Sequence, residues 1–153
     1  MNRISSELLK TSEALIRAQE RTILLVEDTA PHAALVQRSL AHDAWTIRHV
    51  TRRKTALDDF KSNSNQIVLL DITLPDCDGL ELLLELRAIN PNSPIIVVTS
   101  LEDVRKSVEA MQRGAWDYVI KEEPNKFSEN LRKAINKAFQ DRITKIEAQL
   151  AQY

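Results

Sequence analysis

The sequence predicts an α/β protein built on an open parallel sheet of five strands. Three observations carry that reading. Short apolar runs alternate with helical-period segments from about Ile23 to Lys121, the βα pattern of a parallel sheet. Three of the runs, Ile23-Leu24-Leu25-Val26, Ile67-Val68-Leu69-Leu70 and Ile95-Ile96-Val97-Val98, are unbroken, as strands covered on both faces should be. The runs also end alike: in Glu27-Asp28, in Asp71, in Thr99-Ser100 and, after Tyr118-Val119-Ile120, in Lys121. In an open parallel sheet those ends share one edge, where such folds place their ligands.

The elements follow in order. Residues 2–19 read as a helix with Ile4, Leu8, Leu15 and Ala18 on one stripe. The first strand spans 23–26, and a helix over 30–41 carries Pro31 in a first turn, where its missing N–H costs little. The second strand, 46–50, contains Arg48 and His49 and reads as a sheet edge. A helix over 54–62, a strand over 67–70 and a helix over 79–89 follow. Asn90-Pro91-Asn92-Ser93-Pro94 breaks the chain. Then come a strand over 95–99, a helix over 103–113 and a strand over 116–120. Residues 127–153 are helical in pattern, with Leu131, Ile135, Phe139, Ile143, Ile146 and Leu150 three or four apart. That helix is roughly 40 Å long at 1.5 Å per residue, and its second half reaches past a domain of this size. The chain divides into an N-terminal helical extension (1–20), a central domain (21–139) and an extended C-terminal helix (140–153).

Composition excludes several functions. Of 153 residues, 43% are hydrophobic and 28% charged, and the net charge of −1 suggests neither nucleic acid nor an anionic membrane as partner. The single cysteine, Cys77, cannot form an internal disulfide, which suits a reducing, cytoplasmic setting. No apolar stretch is long enough to span a membrane. Two glycines leave no Gly-rich nucleotide loop, and Cys and His are too few for a zinc site.

The polar strand ends are the candidate site. An isolated buried charge is costly, so a carboxylate ending a buried strand must be paired, metal-bound or reactive. Asp71 is that carboxylate. The residues around it, Leu-Val-Glu27-Asp28, Leu-Leu-Asp71-Ile-Thr-Leu-Pro75-Asp-Cys-Asp-Gly79, Val-Val-Thr99-Ser100 and Gly114-Ala115-Trp-Asp-Tyr118-Val-Ile-Lys121, together resemble the receiver domain of two-component response regulators, from about Arg21 to Phe139. The resemblance implies a doubly wound, flavodoxin-like sheet with strand order 2-1-3-4-5. It implies that Asp71 is the phosphoacceptor, taking a phosphoryl group from a phosphohistidine on a histidine kinase or a histidine phosphotransfer protein. It implies Mg²⁺, with Asp28 and Asp71 as direct ligands, Glu27 acting through a water and Thr73 through its main-chain carbonyl. Lys121 and the Thr99 hydroxyl then stabilise phosphoryl charge, and Thr99 with Tyr118 forms a switch altering the surface of the fourth helix, fifth strand and fifth helix. The domain is a signalling module rather than an enzyme.

Two features depart from that family. The residue after the lysine is Glu122, where a proline after a cis bond is usual. A non-proline cis bond costs roughly 3 kcal/mol, so the loop either tolerates that cost or is rebuilt as trans. Thr73 and Leu101, two positions after Asp71 and Thr99, offer no acid or amide to orient a hydrolytic water, so the phosphorylated state should persist.

Each residue also has a plainer reading. Glu27-Asp28 alone suits a helix cap, Asp71 a turn, Lys121 a solvated surface, and Thr99 with Glu102 a capping box. An aromatic such as Tyr118 on a strand is usually packing. Arg48, Arg52, Arg53 and Lys54 read as a solvated edge, and His32, His42 and His49 as surface groups. No base near Cys77 supports a reactive thiol. A phosphatase of the haloacid-dehalogenase type needs a second acid where Thr73 stands. A phosphorylation-independent dimerisation or scaffold module is the remaining alternative. The stripe Ile143, Ile146, Leu150 and Tyr153 suits a coiled-coil seam. It should pack on its copy in a homodimer, the favoured reading, or on the N-terminal stripe.

Overall fold

The computed structural model describes residues 3–122 and 124–153. Five strands form one parallel sheet in the order β2-β1-β3-β6-β7. The elements are α1 (Arg3–Ala18), β1 (Thr22–Val26), α2 (Ala30–Ser39), β2 (Thr46–Val50), α3 (Arg53–Ser62), β3 (Ile67–Asp71), β4 (Thr73–Leu74), β5 (Cys77–Asp78), α4 (Gly79–Ile89), β6 (Ile95–Thr99), α5 (Val104–Gln112), β7 (Asp117–Ile120) and α6 (Pro124–Leu150), with a 3₁₀ turn at Leu101–Asp103 before α5. The order is the expected doubly wound one, with β6 and β7 as fourth and fifth strands of the sheet.

The unbroken apolar runs explain the layering. In β1, Leu24 and Val26 face one core while Ile23 and Leu25 face the other. The first core adds Phe60 of α3 and Leu83 and Leu86 of α4. The second adds Val36 of α2 and Phe127, Leu131 and Ile135 of α6. Period-two alternation in a strand apolar on both faces therefore demands a helix layer on each side. β2 is the polar edge, with Thr46, Arg48 and His49 exposed.

One local feature was not foreseen. After β3 the chain folds into a two-residue hairpin, with β4 antiparallel to β5, and returns directly into α4. Asp78 caps that helix, its carboxylate accepting from Leu80 N at 2.9 Å. A Cβ on Gly79 would lie 2.2 Å from the Ile72 carbonyl oxygen, so only glycine lets the chain turn this tightly behind the site.

The terminal helices pack on each other. α1 runs along α6, with Ala14 and Leu15 half-buried while Leu8, Leu9 and Ile16 stay exposed. Ile143 is buried, and Ile146 and Leu150 half-buried. The α6 seam is thus covered in part by α1 of the same chain. The side chains of the expected stripe residues Ile4 and Ala18, and Asn2 at the start of that expected helix, lie outside what the structure describes. Beneath the overhang, Arg142 donates to the Asn65 carbonyl and is buried, and Arg21 lies 4.2 Å from the Trp45 ring centroid. A cavity of about 460 Å³ opens there, at the N-terminal edge of the sheet. Its cations already serve the fold: Arg87 donates to the Gly114 carbonyl at 2.6 Å and Lys145 pairs with Asp141 at 2.9 Å.

Candidate functional site

The opposite edge gathers the polar strand ends. One more backbone rung to β2 follows β1, as Glu27 N donates to the Val50 carbonyl at 3.0 Å. That extra rung holds Glu27 2% exposed. Asp71 ends β3, the central strand, and is 6% exposed. β1 and β3 are neighbours, and here the connections from the sheet diverge to opposite faces, the switch point where ligands bind.

Glu27, Asp28 and Asp71 each offer a carboxylate oxygen, and these lie within 4.8 Å of one another. Lys121, just past β7, reaches the same point. Its Nζ lies 2.9 Å from Glu27 Oε1 and 3.3 Å from Asp71 Oδ2. Its side chain is 9% exposed, so the plain surface reading does not hold. Its backbone N–H donates to the Thr99 carbonyl at 2.9 Å, fixing the root of the lysine to the end of β6.

One ammonium contacts two buried carboxylates, and a third, more open one lies beside them. Burial first, and then the neighbouring Asp71 carboxylate, push the Glu27 carboxyl up to about 7, with Lys121 acting against them. Three carboxyl groups thus share one ammonium, more acid than Lys121 alone can balance. Hard oxygen donors of this kind, converging from three acids, fit Mg²⁺.

The remaining expected residues sit as follows. Thr73 N donates to Asp71 Oδ1 at 2.9 Å, which orients the carboxylate. Thr99 is fully buried, and its hydroxyl donates to the Ser100 carbonyl at 3.2 Å. It makes no capping box. Tyr118 is 39% exposed on β7, apart from the acid cluster. No peptide bond among the described residues is cis, so Lys121–Glu122 is trans. Glu122 instead accepts from Leu101 N at 2.7 Å and ties the loop after β7 to the turn before α5.

Sequence reasoning missed two groups. Asp103 receives the Thr73 hydroxyl at 2.7 Å and the Ser100 hydroxyl at 3.0 Å on one oxygen. These bonds, Thr73 first, hold its carboxyl below the usual carboxylate range. Ser100-x-x-Asp103 was the local signal, one residue out of step with the Thr99–Glu102 pair. His32 and His49 are exposed as expected but not idle. His32 Nδ1 lies 3.0 Å from Lys121 Nζ, and His49 Nε2 donates to the Glu27 carbonyl at 2.7 Å. The basic edge is largely paired, Arg48 with Asp59, Arg53 with Glu85 and Lys54 with Asp58. Burial pushes the Cys77 thiol up to about 11, away from reactivity.

Comparison with known proteins gives a consistent set. The family model for the response regulator receiver domain matches residues 23–145. The transcriptional regulatory protein ZraR of Escherichia coli K12 is 32% identical over 116 residues, 76% of this chain and 26% of that protein. The regulatory protein LuxO of Vibrio vulnificus YJ016 is 36% identical over 115 residues, 74% of this chain and 25% of that protein. The chain thus spans about a quarter of the length of these regulators. Among solved structures, a response regulator receiver domain protein from Clostridium thermocellum superposes with a TM-score of 0.72 at 25% identity, covering 79% of this chain and 95% of that one. The receiver domain of NtrX from Brucella abortus gives 0.71 at 27%, covering 77% and 98%.

Proposed function

The chain belongs to the response regulator receiver domains, and from that premise we propose that it takes a phosphoryl group onto Asp71 from a phosphohistidine on a histidine kinase or phosphotransfer protein. One observation carries this: Asp71 Oδ2 is buried at the end of the central strand, 3.3 Å from Lys121 and among the acids Glu27 and Asp28.

Carboxylate attack on phosphorus must overcome repulsion between the nucleophile and the phosphoryl oxygens. Bound Mg²⁺ supplies charge neutralisation there. Asp28 and Asp71 would hold it directly, Glu27 through a water and Thr73 by its carbonyl. Asp71 is kept in line for attack by the Thr73 N–H. Lys121 provides a donor already aimed at the developing charge, which needs no reorganisation during transfer. Thr99 would then turn its hydroxyl from the Ser100 carbonyl to a phosphoryl oxygen. Tyr118, now outward, would move into the space beside β7 and change the face of α5, β7 and α6. The local charge change biases a two-state element. The phosphorylation-independent scaffold is not favoured, because a complete acid set with a buried lysine serves no scaffold purpose. The test is intact-mass analysis with acetyl phosphate: one added phosphoryl group is expected with Mg²⁺ and none after chelation. Equal uptake without the metal would refute this reading.

Loss of the phosphoryl group should be slow. Leu101 is 61% exposed and apolar, and the Thr73 hydroxyl is committed to Asp103. The expected half-life, followed by intact mass after donor removal, is many minutes. A half-life of seconds would refute it, and Leu101→Glu should shorten whatever is measured.

The domain division proposed is the extension 1–20, the receiver 21–139 and the C-terminal overhang 140–153. A homodimer through the terminal helices completes the reading. Leu9 and Ile16 remain on the outer face of α1, and burying each contributes roughly 1.5–3 kcal/mol. Sedimentation equilibrium at high micromolar concentration should show the dimer; a strict monomer, with and without Mg²⁺ and phosphodonor, rules it out.

A further inference from the structure

We propose that His32 is a positioning residue for Lys121: its neutral ring holds the ammonium over Asp71 without cancelling the lysine's charge. The inference rests on the phosphoacceptor reading of Asp71.

Three groups surround Lys121 Nζ: Glu27 Oε1 at 2.9 Å, His32 Nδ1 at 3.0 Å and Asp71 Oδ2 at 3.3 Å. An ammonium has three hydrogens and no lone pair, so Lys121 is the donor at every contact. His32 must therefore present a lone pair at Nδ1 and carry its proton on Nε2. The 3.4 Å approach of Nδ1 to Glu27 Oε1 is then two acceptors converging on one ammonium, and no ion pair.

The acceptors differ in charge, and the difference matters. Glu27 and Asp71 orient Lys121 and also neutralise it. They are the same carboxylates that a cation and the incoming phosphoryl group draw on. His32 lies outside the acid cluster, in the first turn of α2 after Pro31, where the helix start brings the ring across the mouth of the site. It orients the ammonium while leaving the full positive charge for phosphoryl oxygens. A lysine stem is flexible, so an ammonium without such a tether loses its aim.

Two measurements on the full chain test this. Long-range ¹⁵N–¹H ring spectra of the metal-free protein should show His32 with Nδ1 bare and Nε2 protonated. A ring protonated at Nδ1 could not accept from Lys121 and overturns the proposal. In the second, His32→Leu should slow phosphoryl uptake from acetyl phosphate about tenfold, and His32→Asn, whose Oδ1 restores an acceptor, should return it to within about threefold of the parent. The Mg²⁺ concentration giving half-maximal rate should be unchanged in both. A parental rate in His32→Leu, no rescue by asparagine, or a shift in Mg²⁺ dependence that accounts for the loss overturns the proposal. Asp71→Asn is run alongside. If the parent chain takes up nothing, the phosphoacceptor reading fails, and the ring tautomer alone decides the His32–Lys121 contact.

Discussion

Asp71→Asn is expected to take up no phosphoryl group from acetyl phosphate, even at saturating Mg²⁺, while folding as the parent does. The amide keeps the shape of the carboxylate but has no nucleophilic oxygen anion. The other acids are poor substitutes. Glu27 is buried against Lys121 and the Thr29 N–H, and burial first, then the neighbouring Asp71, holds its carboxyl well above the usual range. Asp28 is open but lacks Lys121 as a partner among its described ion pairs. The substitution also removes one of two like charges packed together, so the fold should not suffer. Without Asp71 beside it, Glu27 should ionise more readily, because one cause of its upward shift is gone. Intact-mass analysis over a time course is the check. Full modification of the variant would move the acceptor elsewhere and dismantle the assignment.

What could be read in advance follows from physical scale. Strands β1, β3 and β6 were legible because four consecutive apolar residues bounded by polar ones have few other solutions. The acid cluster was legible because strand ends in a parallel sheet converge whatever the loops do. The β4–β5 hairpin was not, since strands of two residues have no period to detect. Asp103 was missed for a related reason: Thr99-x-x-Glu102 and Ser100-x-x-Asp103 are equally good capping signals. The choice between them depends on where β6 stops and on a hydroxyl, Thr73, from another loop. His32 illustrates the general limit. Nothing local links it to Lys121, 89 residues away; only the switch-point geometry brings them together. For the α6 overhang the sequence left two covers open, a second copy or the N-terminal stripe, because α1 lies at the other end of the chain and nothing local decides between them.

The last expected result concerns Lys121 and separates its two roles. Lys121→Met keeps the length of the stem and deletes the charge. In the metal-free protein it leaves Glu27 and Asp71 buried with no cation between them. Removing one partner of a buried ionic group typically costs about 3–5 kcal/mol. The urea midpoint without Mg²⁺ should therefore fall clearly. Adding Mg²⁺ should recover much of the loss, because a cation among Glu27, Asp28 and Asp71 compensates the same charges and binds only the folded state. Phosphoryl uptake should not recover with it. A single preorganised donor to developing charge is worth roughly a hundred- to a thousandfold in rate, and no other ammonium or guanidinium among the described residues contacts Asp71. Stability restored by Mg²⁺ with transfer still slow is thus the signature of a lysine that both balances the cluster and assists the chemistry. If Lys121→Met, refolded by Mg²⁺, takes up the phosphoryl group at the parental rate, Lys121 serves the fold alone, and charge stabilisation in transfer must be reassigned.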